Sequence, residues 1–292
     1  MKIIPKTGCI LVLLIVMLIF SGCKAGVTDS NLNYNFKQGV SELNVNFYPN
    51  APPKTVYPHS NFKFIFELNN QAAYDITEGA VKITGVDQRF FSIEPKGGQS
   101  FEYLLGRSLT APDGDKIFVE FQGTAYEPLE TSEEQGERFS VVILYKSNVE
   151  FTDTICINPN LYEVYDSGCK VEGIKTYSGQ GAPLVISQME EVISPGSNSE
   201  AEFRFLIKNR GQGEVGMVEI TKAKLGQEDL DCEFKQWKDV RKKIKFSAEE
   251  QEAILVCKKQ FLKDLSSYTT TLSLNLNYEY KLEKLGGITL LR

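Results

Sequence analysis

His59 is the only imidazole in a chain of 292 residues, which removes most imidazole-based acid–base catalysis and every His-rich metal site. It stands in a Pro58-His59-Ser60 turn, and no Gly-x-Ser-x-Gly elbow occurs to supply a hydrolase nucleophile. Carboxylate pairs for glycoside cleavage need only proximity in space, so spacing neither supports nor excludes them. Gly211-Gln212-Gly213-Glu214-Val215-Gly216 matches a dinucleotide fingerprint, but that motif needs a helix next to hold a pyrophosphate. Here the β-like run Met217-Val218-Glu219-Ile220-Thr221 follows, so a flexible turn between strands is expected. Asp113-Gly114-Asp115 offers too few oxygens for calcium and reads as a hairpin turn. The acidic run Glu127 to Glu137 reads as a solvated loop with room for a weak cation site. These residues predict no catalytic, cofactor-binding or metal site.

The cysteines are more informative. Cys9 lies in an N-terminal apolar run and Cys23 just behind it, leaving Cys156, Cys169, Cys232 and Cys257 as an even set. An exported chain would oxidise these four, and four cysteines allow three connectivities. Local loops close most easily, which favours Cys156–Cys169 and Cys232–Cys257, each stabilising by about 3 kcal/mol. Zinc would want CxxC spacing or nearby histidine, and neither exists.

Export is what the N-terminus predicts. Lys2 and Lys6 precede an unbroken apolar run from Cys9 to Phe20, too short for a comfortable membrane span and right for a secretory signal over 1–22. Ser21-Gly22-Cys23 resembles the lipobox of prokaryotic lipoproteins, in which the cysteine is lipidated and becomes the first mature residue; Phe20 stands where that family has leucine. The alternative is an uncleaved signal anchor. Both place the remainder outside the membrane, tethered to the outer face of the cytoplasmic membrane. Net charge is −6, and losing residues 1–22 removes two lysines and no acid. A surface that acidic argues against nucleic acid as a partner.

The elements that would position any site are strands. Residues 23–41, rich in Asn, Gly, Ser and Lys, read as a tether. Leu43-Asn44-Val45-Asn46-Phe47 then alternates apolar and polar, as a half-buried strand does. Phe62–Leu68, Ala80–Gly85, Lys116–Phe121 and Phe139–Tyr145 continue the series with the spacing of a β-sandwich. The plan repeats about 140 residues on, where Pro195 leads into Phe203-Arg204-Phe205-Leu206 as Pro58 leads into Phe62-Lys63-Phe64-Ile65, which means two similar domains in tandem. Ala253–Cys257 and the alternating stretch within Tyr268–Tyr280 close the second. Trp237–Glu252 is compatible with a short helix, but a charged edge strand over Val240–Phe246, in a hairpin tied by Cys232–Cys257, uses it more economically.

The proline-led strand ending in Asn209-Arg210-Gly211 resembles the cell-adhesion-related immunoglobulin-like domains of archaeal and bacterial envelope proteins. Phe47-Tyr48-Pro49-Asn50-Ala51-Pro52-Pro53, Cys156-Ile157-Asn158-Pro159 and Gly179-Gln180-Gly181-Ala182-Pro183 resemble segments of surface proteins of small-genome archaea that have no assigned chemistry. The first domain departs from the pattern at Asn69-Asn70-Gln71. The resemblance implies an all-β ectodomain of two tandem immunoglobulin-like sandwiches, over 42–150 and 181–285, with a disulfide-stapled linker at 151–180 and a tail at 286–292. It implies a non-catalytic spacer or adhesion module with a protein partner on the cell surface. An accessory subunit of a pilus-like or secretion assembly is the alternative, and a carbohydrate-active enzyme or peptidase the more distant one. Exposed Tyr48, Tyr57, Tyr74 and Tyr177 could form a binding patch, though aromatics on alternating strands mostly fill cores.

Overall fold

The computed structural model describes residues 35–159, 168–194, 199–235, 242–261 and 266–292, and every regular element among them is a strand. The first half contributes β1 (Leu43–Phe47), β2 (Thr55–Val56), β3 (Asn61–Asn70), β4 (Glu78–Thr84), β5 (Phe91–Glu94), β6 (Gln99–Phe101), β7 (Lys116–Ala125) and β8 (Glu134–Ile157). The second contributes β9 (Ile174–Thr176), β10 (Leu184–Ser194), β11 (Ser199–Asn209), β12 (Glu214–Leu225), β13 (Glu228–Asp229), β14 (Asp231–Phe234), β15 (Lys243–Lys245), β16 (Glu252–Phe261) and β17 (Tyr268–Leu291).

Two small sheets have matching orders, β1-β3-β7-β5 in the first half and β10-β11-β16-β14, extended by β9, in the second. Both correspond to the ABED sheet of an immunoglobulin-type sandwich. The facing layer is common to both halves: β13-β12-β17-β8-β4-β6 form one sheet, with β15 added beside β12 and β2 beside β17. Its spine is the antiparallel pair β8 and β17, each 24 residues long, in unbroken register with Tyr145 opposite Tyr280 near the middle.

That register makes the halves interlock. The N-terminal part of β8 pairs with β4 in its own half, up to Lys146, and the remainder continues into the second half, where Phe151 packs edge-on against Phe205 of β11 at 5.8 Å. β17 does the converse. Its N-terminal part pairs with β12 up to Lys281, and its C-terminal part runs beside Glu134–Lys146 and pairs in parallel with β2. Each long strand is thus the penultimate strand of its own sandwich and the last strand of the other.

Alternation explains why both small sheets lie on the same side of this layer. Phe139, Val141, Ile143 and Tyr145 are buried, and so are Val149 and Phe151 of the same odd-numbered set further along β8. On β17 the even-numbered Leu272, Leu274, Leu276, Tyr278 and Tyr280 are buried, and Ile288 and Leu290 remain so at 2% and 0% exposure. A strand that keeps its period for so long offers one mostly apolar face along its length, interrupted on β17 by the exposed Lys284. The first core is rich in phenylalanine: Phe64 lies edge-on to Phe139 at 5.1 Å, and Phe47 meets Phe139 at 5.9 Å.

Several expected boundaries change. Residues 151–157, assigned to a linker, are the end of β8, and 286–291, assigned to a tail, are the end of β17. Glycine weakens a strand interior unless its missing side chain makes room for a neighbour. Here the missing side chain of Gly286 admits the Phe139 ring, which would lie 2.3 Å from a Cβ at that position. The expected hairpin at Cys232–Cys257 is also altered: β14 does pair with β16, but the chain between them crosses to the shared layer, where β15 pairs with Met217–Glu219 of β12. Gly114 makes a turn at φ +70°, yet the strand that follows, β7, pairs with β3 and β5 rather than closing a hairpin.

Candidate functional site

The outer face of the shared layer carries the side chains that alternate with the core set. Around the midpoint these are Leu144 and Lys146 of β8, Glu279 and Lys281 of β17, Glu78 and Ala80 of β4, and Glu214 of β12. They floor a trough of about 1420 Å³, walled on one side by Ser100–Tyr103 and on the other by Lys245–Ala248. The walls come from different halves, so the trough exists only because the sandwiches interlock.

Both lysines of the floor are ion-paired within it. Lys146 is ion-paired to Glu78 and lies opposite Glu279, and Lys281 is 3.6 Å from Glu214. The Glu78 carboxylate holds the Lys146 ammonium above its ordinary range, chiefly through their hydrogen bond. Leu144 is 52% exposed between these pairs. A wide, open floor of paired charges around an aliphatic centre suits contact with another surface.

Beneath the trough the junction is locked by phenols. Tyr145 and Tyr280 lie 5.4 Å apart, and the Tyr280 hydroxyl donates to Glu42 Oε2 at 2.8 Å while accepting from the Gly213 N–H at 2.8 Å. Glu42 also accepts from the Gln212 N–H at 3.1 Å. Burial, then the Glu42 charge, drives the Tyr280 phenol far above its usual range. The fingerprint-like Gly211–Gly216 segment is therefore a turn into β12, and it touches a tyrosine and a carboxylate. Gly213 stands where a Cβ would meet the Lys281 carbonyl at 2.2 Å. Sequence reading singled out this segment but not its partners Glu42 and Tyr280, which lie far from it along the chain.

The other sequence candidates are scattered. His59 is exposed at φ +60°, with Nε2 2.8 Å from Glu127 Oε1; the hydroxyl of neighbouring Ser60 donates to the Tyr57 carbonyl. Asp115 presents its carbonyl to the Asn70 N–H, and no cluster able to hold a metal occurs among the described residues. Part of the acidic run, from Glu134, is the start of β8. Tyr48 and Tyr57 are exposed, whereas Tyr74 is buried and its phenol pushed up to about 12 by that burial. Tyr177 donates to Asp153 Oδ2 at 2.7 Å, so the four tyrosines form no patch. Cys156–Cys169 and Cys232–Cys257 are disulfide-bonded, which suits an oxidising, extracytoplasmic compartment. Cys23 lies outside the described residues, among which no helix is long and apolar enough to cross a membrane.

A second polar group sits inside the second sandwich. Glu191 of β10 points between the sheets beside Met189 and Ile193, is 6% exposed, and its Oε1 has no hydrogen-bond partner among the described residues. Burial pushes its carboxyl up to about 7, partly opposed by the Lys175 charge. Lys175 itself is engaged by Asp153 at 3.1 Å and by Glu172 at 3.4 Å.

No protein-family model matches this chain, and no curated protein matches it. Among solved structures, the C-terminal globular domain of an oligosaccharyltransferase from Pyrococcus abyssi aligns over 88% of this chain and 50% of its own, at 8% identity and a TM-score of 0.26. The chain thus spans half the length of that domain. Collagen adhesin from S. aureus aligns over 88% of this chain and 93% of its own, at 11% identity and a TM-score of 0.11.

Proposed function

We propose that this chain is a non-catalytic extracytoplasmic interaction module, tethered at its N-terminus through Cys23 or an uncleaved signal and acting as an adhesive or spacer element with a protein partner in the envelope. The observation that carries this reading is the trough, built by both halves and floored by an exposed leucine among lysines that are ion-paired to glutamates. Catalytic groups are usually held with strongly perturbed charge, whereas a contact surface combines an apolar centre with a polar rim, as Leu144 and the charged pairs around it do. The paired disulfides support the compartment, and the net charge of −6 supports a protein rather than a nucleic-acid partner.

The test is photo-crosslinking from position 80, which lies across from Leu144 on the trough floor, in the intact chain and in its native envelope. The expected result is a discrete protein adduct that disappears with Leu144→Glu. Saturable turnover of a glycan or peptide substrate by the purified chain, above all if His59→Ala retained it, would overturn the non-catalytic reading. Mass spectrometry of the mature N-terminus tests the tether, with an acylated Cys23 expected and a retained Met1 pointing to the anchor.

A further inference from the structure

Where β17 crosses into the first half only the two-residue β2 lies beyond it in the shared layer, and part of its edge is open. The side of β17 away from β8 is defined by three main-chain groups: the Thr271 carbonyl, which accepts from the Gly226 N–H, the Asn275 carbonyl, which accepts from Thr221 Oγ1, and the Thr289 N–H, which donates to the Lys54 carbonyl. All are odd-numbered, and the register is unbroken, so the N–H and C=O groups of Glu283, Leu285 and Gly287 face the same way. β12 stops pairing at Lys281 and β2 takes over at Thr289. Between them, among the described residues, nothing pairs with the edge. Leu285 at its centre is 74% exposed.

The matching stretch of β8 shows what closure of such an edge looks like. With Tyr145 and Tyr280 as the centre, Glu150 corresponds to Leu285 and Thr154 to Thr289. The Glu150 carbonyl accepts from the Tyr74 hydroxyl at 3.1 Å, and the Glu150 carboxylate is ion-paired to Lys37. Thr154 donates its N–H to Asp153 Oδ1 at 2.8 Å and accepts from Lys175 Nζ at 3.0 Å. Side chains seal one edge. On the other, an exposed leucine stands beside unpaired main chain, the arrangement that templates strand addition.

We propose that the Leu282–Ile288 edge of β17 takes an extended strand from a partner protein, completing the row between β12 and β2. The inference rests on the interaction-module reading and names its partner's form. The first outward residue of the edge, Glu283, is two residues beyond Lys281 at the rim of the trough, so a strand seated on it adjoins the contact proposed for the trough. The bound strand carries an apolar residue against Leu285 and a basic one against Glu283, whose Oε1 already accepts from Ser140 Oγ at 2.6 Å. Gly287 leaves space for a bulky neighbour across the pair.

The probe is an end-capped synthetic peptide of about seven residues carrying a lysine and a valine two positions apart on one face, with threonines on the other, and a second version N-methylated along one edge is the control. Binding to the full chain is followed by fluorescence and by amide hydrogen exchange. The expected result is slowed exchange at Glu283, Leu285 and Gly287, with no binding of the N-methylated peptide. Leu285→Pro removes an outward N–H without touching the ladder to β8, and weakens binding by about tenfold or more. Thr152→Pro, at the position on β8 that corresponds to Gly287, leaves binding unchanged. No binding, equal binding of the N-methylated peptide, or protection at β8 instead would overturn the proposal. Binding lost with Leu144→Glu but kept with Leu285→Pro would also overturn it, while sparing the module reading, which fails separately if crosslinking finds no partner.

Discussion

The two exchanged strand ends make an internal comparison. Both β8 and β17 leave their own sandwich to become the last strand of the other, yet the β8 end is tied down by the side chains of Tyr74 and of Lys175 on β9 while the β17 end is held mainly by its apolar face and two residues of β2. Ladder and face burial are therefore enough to seat a terminal strand, and edge closure is a separate property that the sequence supplies in one half only.

The largest test breaks the exchange itself. Leu290→Ala, at a site 0% exposed in the first core, should cost about 2–5 kcal/mol in a urea titration, with both halves unfolding together. An unchanged midpoint would mean that residues 286–292 are a dispensable tail after all. A similar magnitude is expected from Glu191, which has no counterpart in the phenylalanine-rich first core. Its folded carboxyl titrates near 7, against an unfolded value of 4.5. The folded state binds the extra proton, so the penalty is fully present above pH 7, and stability rises as pH falls from about 7 to 4.5, by roughly 3 kcal/mol. Glu191→Gln should flatten that slope, and a flat wild-type profile would refute the assignment. Next, Gly286→Val should cost about 1–3 kcal/mol by driving a side chain into Phe139, whereas the same change at Gly136, which has open space around it, should be nearly silent in thermal unfolding. Smallest of all, Tyr74→Phe uncaps the Glu150 carbonyl and should lower stability by about 1 kcal/mol. If it also let the strand peptide bind at β8, the two edges would differ only in their caps.

Much of the strand plan was legible. The alternation at Leu43–Phe47 gives β1 to the residue, and Phe62–Leu68 and Tyr268–Tyr280 fall within β3 and β17. Local disulfide loops gave the bonded pairs. The trough was not legible: its floor residues Glu78, Leu144, Glu214 and Lys281 are ordinary outward positions on four strands. Nothing about Lys281 in the chain indicates that Glu214 lies across from it.

The amino-acid pattern alone determined that this protein is built of strands, which side of each strand meets a core, and that the plan occurs twice. Those properties depend on a period of two residues and on nearby cysteines and turn residues, all of which act over short stretches of chain. Only the tertiary structure decided which strand neighbours which, that the last strands are traded between the halves, and that one edge is closed while its equivalent stays open. Alternation assigns a side chain to a face but names no partner, because any strand with a matching apolar face satisfies the same hydrogen-bonding row. The choice falls to contacts such as Phe151 on Phe205 and Phe139 on Gly286, between residues that meet only once the chain has folded.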